Sequence, residues 1–354
     1  MRSRILLSLL LLVAVITLVF GYFLFTPKSL RLLSPFLGLG YPDVTAEISK
    51  TLTLLPELDY TRSTASASLH PRLRYLVFNP RTQKVYAAKG EKDIISPASF
   101  TKLLTVQVGL DLAGPQTPIQ TTATSIDKVP TVLGLKLGET LSLSDLLRAS
   151  IATSGNDAAA TLAEGVAAQY SQKLPFFVDA MNQKAEMLKM YHSRFATPDG
   201  LDAVDQYSTL ADIARLVYNA TSYPEIVAAG AADMQDIATS SAHGYYYLPN
   251  WNGLLGVYPG VDGLKIAYTE TAGYSTIVTA RRQDIPVIVL LTGADSIRER
   301  DLAAASLLDL AYLTHRLPPV NLTRTRLDRR YKQWADLATK IRAELKELEK
   351  QSQK

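Results

Sequence analysis

An α+β fold, its sheet assembled from the two ends of one domain around a helical insertion, is predicted by three features of the 354-residue chain. Two strand-like runs, Arg74 to Phe78 and Lys84 to Ala88, flank Asn79-Pro-Arg-Thr-Gln83 and read as a hairpin. A long middle section then carries helical periodicity. Two further strand candidates, Gly273 to Ala280 and Pro286 to Thr292, flank the turn Arg281-Arg-Gln-Asp284 and lead into a helix from about Arg298 to Leu313. Strands, helices, strands and a closing helix, in that order, suggest a sheet that draws on both ends of the domain.

Ahead of the first strand, Ile5 to Phe25 is an uncharged, nearly continuous apolar run behind Arg2 and Arg4. As a helix it is about 31 Å long, enough for a bilayer core, and the basic flank places the rest of the chain outside the cytoplasm. A cleaved signal peptide usually has a shorter apolar region and a small-x-small site, so residues 1–25 are expected to be a retained transmembrane signal-anchor. Residues 26–70 mix Pro, Ser, Thr and Gly with short apolar clusters and read as an extracytoplasmic spacer, partly packed on the next domain. A domain over 71–318 is expected after it.

Within that domain, Pro97 and the apolar steps Leu104, Val108 and Leu112 mark a helix from Ala98 to Leu112. Ser142 with Asp145 reads as a capping pair opening another helical region, which resumes from Asp157 to Val166. Helical spacing returns in Lys173 to Met190 and Thr209 to Asn219. Past Pro318-Pro319 the character changes. Leu327, Tyr331, Trp334, Ala338, Ile341, Leu345 and Leu348 alternate in steps of four and three, a heptad seam on a charged helix over 319–354. That seam suits either packing on the chain's own domain or self-association as a short coiled coil.

Composition narrows the chemistry. The chain has no cysteine, which excludes thiol catalysis and Cys-based zinc sites. Its four histidines are scattered and none lies in a His-Glu-x-x-His pattern, so no metal or other cofactor is expected. The net charge of +4 is concentrated after Arg324, with ten Lys/Arg against five Asp/Glu. The body carries no basic stripe with interleaved aromatics, and nucleic acid is not an expected partner.

Ser99-Phe-Thr-Lys102 places a hydroxyl and an amine three residues apart at a helix start, hence on one face. A serine hydroxyl is a poor nucleophile until a base takes its proton, and Lys102 can be that base if its amine is kept neutral. The motif alone is weak, since Ser125-Ile-Asp-Lys128 repeats it without apolar periodicity behind it. Ser154-Gly-Asn156-Asp157, between two helical segments, can hold a hydroxyl and an amide towards a cleft.

In order, Ser96-Pro-Ala-Ser99-Phe-Thr-Lys102, Ser154-Gly-Asn156-Asp157-Ala-Ala, Tyr258-Pro-Gly-Val-Asp262-Gly-Leu-Lys265 and Tyr268-Thr-x-x-Ala-Gly-Tyr274 resemble the serine-type D-Ala-D-Ala carboxypeptidases. These are the low-molecular-mass penicillin-binding proteins. Thr197-Pro-Asp-Gly-Leu201 with Tyr207-Ser208, and Asn250-Trp-Asn252-Gly-Leu-Leu255, extend the resemblance, which runs from about Arg74 to His315. It implies a β-lactamase/DD-peptidase-like fold: a mainly antiparallel sheet flanked by helices, an all-α subdomain, and the site in the cleft between them. It also implies peptidoglycan pentapeptide as substrate and β-lactams as covalent inhibitors. Ser99 would be acylated, Lys102 its base, and Ser154 a proton relay to the leaving D-alanine. Asn156 would bind the substrate amide and orient Lys102, and Lys265 would attract the terminal carboxylate. Backbone N–H groups of Ser99 and Tyr268 would form the oxyanion hole.

One departure bears on activity. The family's third motif, Lys-Thr-Gly or Lys-Ser-Gly, here reads Lys265-Ile266-Ala267. Ile266 cannot donate to a substrate carboxylate, a loss of about 1.5–3 kcal/mol, or roughly 10- to 150-fold. Thr269 is the candidate substitute hydroxyl. The expectation is therefore a membrane-anchored carboxypeptidase with its catalytic domain outside the cytoplasm. The alternative is a non-catalytic or weakly active peptidoglycan-binding scaffold; a β-lactamase would need an added deacylating base that the sequence does not offer.

Overall fold

The computed structural model describes residues 40–61 and 69–352, with side chains described as far as Glu344. Contacts divide the chain after Asp43. In the first unit, Met1–Asp43, the described residues 40–43 form no helix or strand, and the apolar run 5–25 lies outside the described residues. The second unit, Val44–Lys354, holds every element below. No helix among the described residues is long and apolar enough to cross a membrane.

The unit opens with α1 (Thr45–Ile48). The stretch expected to be spacer is packed on the body where it is described. Val44, Ile48 and Leu55 are buried, Thr53 N donates to Asn219 Oδ1 at 2.6 Å, and Asp59 forms a parallel bridge with Lys84. Burial of these three apolar side chains outweighs the loop-like composition around them.

β1 (Arg74–Phe78) and β2 (Val85–Lys89) then form an antiparallel hairpin. A 3-10 turn, Ala98–Phe100, runs straight into α2 (Thr101–Leu112). Ten of the twelve residues of α2 are buried, so this helix has no solvent face and its polar side chains must find partners inside. β3 (Pro118–Gln120) and β4 (Thr140–Ser142) pair as a small ribbon around α3 (Ala123–Ile126). After α4 (Leu143–Arg148) comes a π-type turn, Ala149–Thr153. Then α5 (Asn156–Gln169), α6 (Leu174–Met187), α7 (Leu210–Ala220) and α8 (Pro224–Ala231) complete the helical part. Ser142 and Thr209 cap α4 and α7, accepting from Asp145 N and Asp212 N.

A second ribbon, β5 (Met234–Ile237) with β6 (Tyr246–Pro249), precedes the antiparallel meander β7 (Val261–Thr269), β8 (Gly273–Arg282) and β9 (Ile285–Ala294). Gln283 and Asp284, both with positive φ (45° and 61°), make the tight turn between β8 and β9. β1 pairs with β9, which closes a five-stranded sheet in the order β2-β1-β9-β8-β7. Strands from both ends of the unit thus share one antiparallel sheet.

β9 is covered on both faces, hence its continuous apolar run. Val287, Val289 and Leu291 join Tyr75 and Val77 against α9 (Ile297–Leu313), while Ile288 and Leu290 are buried outside that cluster. β7 is an edge strand, as is β2, and its mixed polarity hides it from a periodicity argument. Last comes α10 (Arg324–Ser352). Its seam is turned onto the chain's own body as far as it is described. Leu327 is buried, Trp334 meets Trp251 edge-on at 5.4 Å, and Tyr331 donates to Asp301 Oδ2 at 2.8 Å. The seam from Tyr331 through Ile341 is half-buried there; the side chains of Leu345 and Leu348 lie beyond the described residues.

Candidate active site

Ser99 sits in the 3-10 turn at the head of α2, half-buried, beside the end of β7. The turn is held from behind by Gly200, whose φ is +81°. A Cβ there would lie 2.0 Å from the Ala98 carbonyl oxygen, so only glycine permits this approach. One turn into α2, Lys102 is fully buried. Its Nζ donates to Ser99 Oγ at 2.9 Å, to Asn156 Oδ1 at 2.7 Å and to the Asp199 carbonyl oxygen at 2.5 Å. Burial pulls its pKa down to about 8, against the opposing pull of the Asp199 and Asp157 carboxylates.

Ser154 follows the π-type turn with a left-handed φ of 65°, and the Gly155 N–H closes back on Ala149 O at 3.2 Å. Such turns often mark functional sites, because they re-aim one side chain out of the helical path. Asn156 opens α5. Besides holding Lys102, it donates through Nδ2 to Pro130 O and through its backbone N–H to Thr131 O at 2.8 Å. Asp157 fixes the same wall, its carboxylate accepting from Leu133 N, Gly134 N and Leu135 N at 2.8, 2.8 and 3.1 Å.

Across the cleft, Lys265 projects from β7, buried to 1% exposure. Its Nζ donates to Ser154 Oγ at 2.7 Å and to Ile266 O at 2.9 Å. Its pKa falls well below the ordinary lysine value through burial first, then repulsion from Lys102 and Arg300. The hydrogen bonds therefore join Ser99, Lys102 and Asn156 in one group and Ser154 and Lys265 in another, and the two buried amines are close enough to repel each other, although the five residues come from separate segments of chain. Among the described residues no group of three or more His, Asp or Glu could hold a metal ion.

Tyr268 and Thr269 lie at the other end of β7. The Tyr268 ring is half-exposed and packs on Tyr274 at 4.4 Å. Thr269 differs from the sequence expectation of a hydroxyl free for substrate. It donates to Asp202 Oδ1 at 3.1 Å, on a separate loop, and accepts from Ala272 N at 3.1 Å within the turn. Asp202 Oδ1 also accepts from Ser96 Oγ at 2.6 Å, tying the Ser99 segment to the end of β7. The second Ser-x-x-Lys is a different matter. Ser125 is buried in the capping box of α3, while Lys128 reaches Asp199 Oδ2 at 3.8 Å and so borders the site.

Asp199, Asp202 and Pro130 are the contributors that motif reasoning gave no role. Two of them act through main-chain carbonyls, which no side-chain pattern reveals. The Thr197-Pro-Asp-Gly turn was the one available signal for Asp199.

A lysine held on a serine, in a cleft between an antiparallel sheet and a helical part, is an arrangement suited to acyl transfer through the serine. The sequence profile of the D-alanyl-D-alanine carboxypeptidase family matches residues 62–296, and the chain belongs to that family. It is 27% identical over 244 residues to D-alanyl-D-alanine carboxypeptidase DacF of Bacillus subtilis, covering 68% of this chain and 61% of that protein. To DacD of Escherichia coli it is 28% identical over 256 residues, covering 66% and 61%. The chain thus spans about three-fifths of the length of these relatives. In fold it is similar to a DD-transpeptidase from Streptomyces, with a TM-score of 0.64 at 22% identity, over 72% of this chain and 99% of that one.

Proposed function

We propose that the chain is a serine-type D-Ala-D-Ala carboxypeptidase that trims peptidoglycan stem peptides outside the cytoplasm through an acyl-enzyme on Ser99. The observation that carries this reading is the set of partners around Lys102. Asn156 Oδ1 and Asp199 O can only accept hydrogen bonds. A neutral Lys102 amine therefore spends both N–H groups on them, and its lone pair faces Ser99 Oγ, the one partner able to donate. With a pKa of about 8, about a tenth of Lys102 is neutral at pH 7.

In this reading Ser99 Oγ attacks the carbonyl carbon of the penultimate D-alanine as Lys102 takes its proton. Backbone N–H groups of Ser99 and Tyr268 hold the oxyanion, and the second Nδ2 hydrogen of Asn156 binds a substrate carbonyl. Ser154 delivers its proton to the amide nitrogen and is reprotonated by the Lys102 ammonium, which returns to the neutral amine, as the C–N bond breaks and D-alanine leaves. Water then adds to the ester, with Lys102 again as base, and Ser99 is regenerated.

Lys265 serves twice. Buried beside Lys102 and Arg300, it has no carboxylate partner among the described residues, and a substrate carboxylate raises its pKa. Charge held on Lys265 in this way disfavours charge on Lys102, which favours the base form of Lys102. Ile266 supplies no hydroxyl here, and Thr269 is held by Asp202, which leaves Lys265 as the anchor of the carboxylate. β-Lactams would acylate Ser99 by the same chemistry. The apolar run 5–25 would tether the enzyme to the membrane.

Incubation of the protein with a peptide ending in D-Ala-D-Ala, followed by mass spectrometry, tests the proposal. Loss of one alanine from the peptide, absent in Ser99→Ala, supports it; no loss from the parent, with Ser99 accessible, refutes it. Binding without turnover, the other reading that Ile266 and Ala267 invite, predicts saturable peptide binding that survives Ser99→Ala.

A further inference from the structure

The segment 197–202 reaches several parts of the cleft from one short stretch of chain. Its Asp199 carbonyl accepts from Lys102 Nζ, and Gly200 lies against the Ala98 carbonyl in the turn that carries Ser99. Its last residue, Asp202, gathers two hydroxyls from different elements onto one carboxylate oxygen. Ser96 Oγ donates to Asp202 Oδ1 at 2.6 Å, and Thr269 Oγ1 donates to the same atom at 3.1 Å. The Ala272 N–H donates to Thr269 Oγ1 at 3.1 Å, so it uses a lone pair there and leaves the hydroxyl hydrogen for Asp202. The chain just before Ser96 is held too, since Ile95 and Ser208 exchange backbone hydrogen bonds at 2.8 and 3.0 Å.

These two hydroxyls flank the groups assigned to the oxyanion. Resting on the proposed reading, the backbone N–H groups of Ser99 and Tyr268 hold the charge that develops on the attacked carbonyl. Ser96 stands three residues ahead of Ser99, and Thr269 directly follows Tyr268 at the end of β7. The two N–H groups thus come from separate elements, the 3-10 turn and the edge strand, and their separation depends on how that turn sits against the strand. The Asp202 carboxylate is hydrogen-bonded to both segments, and bonds to an ionised acceptor are the stronger kind. Oxyanion donors act only when aimed at the developing charge at hydrogen-bond distance, so a small error in their separation costs rate.

We infer that Asp202 is a positioning residue for the oxyanion hole: its Oδ1, shared by Ser96 and Thr269, sets the distance between the Ser99 and Tyr268 N–H groups. Thr269 then serves the reaction through Asp202 rather than by touching the substrate.

The test follows acylation of Ser99 by a fluorescent penicillin over a range of concentrations, which separates the acylation rate constant from the dissociation constant of the complex that precedes it. Asp202→Ala should lower the rate constant about tenfold and leave the dissociation constant within about twofold, because the oxyanion forms only as the bond to Ser99 forms. Asp202→Asn keeps an Oδ1 acceptor for both hydroxyls and should restore most of the rate. Thr269→Val removes the hydroxyl at nearly constant shape; it should slow acylation about as much as Asp202→Ala, and the double variant should be little slower than either. Should Asp202→Ala fail to fold, Thr269→Val carries the same comparison. A parental rate constant in either variant, a fall confined to the dissociation constant, or an Asp202→Asn variant as slow as Asp202→Ala overturns the inference while the parent still forms its adduct, so the proposed activity stands. Absence of both alanine release and a penicillin adduct on Ser99 of the parent overturns the activity and the inference together.

Discussion

Two buried lysines share this cleft, and neither rests in a carboxylate ion pair at its Nζ. Lys102 is held by a hydroxyl and two carbonyl oxygens, Lys265 by a hydroxyl and one carbonyl. Partners of this kind steady an amine without fixing its charge, and burial then tips both groups towards the neutral form. Beside them, Ile266 is the residue that departs from the family pattern. Ile266→Thr preserves β-branching on the strand and restores a hydroxyl; kcat/KM on a D-Ala-D-Ala peptide should rise by about tenfold or more, the value of a hydrogen bond to a charged group. Unchanged kcat/KM would mean that Lys265 alone suffices to hold the carboxylate. At this scale much of the array was legible. Ser99, Lys102, Ser154, Asn156 and Lys265 were singled out as side chains with chemistry, and the fold brings them together. The carbonyls of Asp199 and Pro130 were not legible, because every residue carries one and only the fold selects which are used.

Elements place these residues by short-range constraints. The wall opposite β7 is a loop, residues 127–138, with little apolar burial of its own, and Asp157 holds it through three backbone N–H groups. Asp157→Ala should lower stability by about 2–3 kcal/mol in urea unfolding, since charge-assisted hydrogen bonds are lost together. Acylation of Ser99 should slow as well, because the same loop carries Pro130, which steadies Asn156. A variant with parental stability and acylation would show that the loop is held otherwise. The helix capped by Ser142 was readable because capping and periodicity agree, while those over Thr209 to Asn219 and Arg298 to Leu313 were readable from periodicity alone. β7 was not. Asp262, Gly263, Lys265 and Thr269 serve the edge and the cleft, so its alternation is broken where function requires it.

Across the whole molecule, the two ends of the unit are drawn onto one sheet and then covered from outside. Strands β1 and β2 join β9, and α9 covers their shared face. α10 extends that cover. Tyr331 reaches the Arg300–Asp301 pair, and Arg300 in turn donates to Trp251 O at 3.1 Å, beside the Asn252 that holds Gly263 O of β7 at 2.9 Å. The tail is thereby connected to the strand that carries Lys265. Trp334→Ala removes the edge contact with Trp251 and the stacking on Tyr331, and should cost about 2 kcal/mol of unfolding free energy. Parental stability in that variant would mark α10 as loosely held. The heptad spacing was visible in the sequence, but the partner was not: a seam of apolar residues looks the same whether it faces a second copy or its own domain.

The central claim is that a neutral Lys102 takes the proton of Ser99, and the rate of Ser99 acylation by a penicillin as a function of pH tests it most directly. Because burial lowers the Lys102 pKa to about 8, the base form grows as pH rises through that value. Acylation of the parent should increase by roughly tenfold per unit from pH 6 to 7 and level off above pH 8, with the adduct on Ser99 by mass spectrometry. Lys102→Arg, which stays charged throughout, should show no such rise. A parent rate that is flat across this range, or a Lys102→Arg variant with the parental profile, would contradict the account.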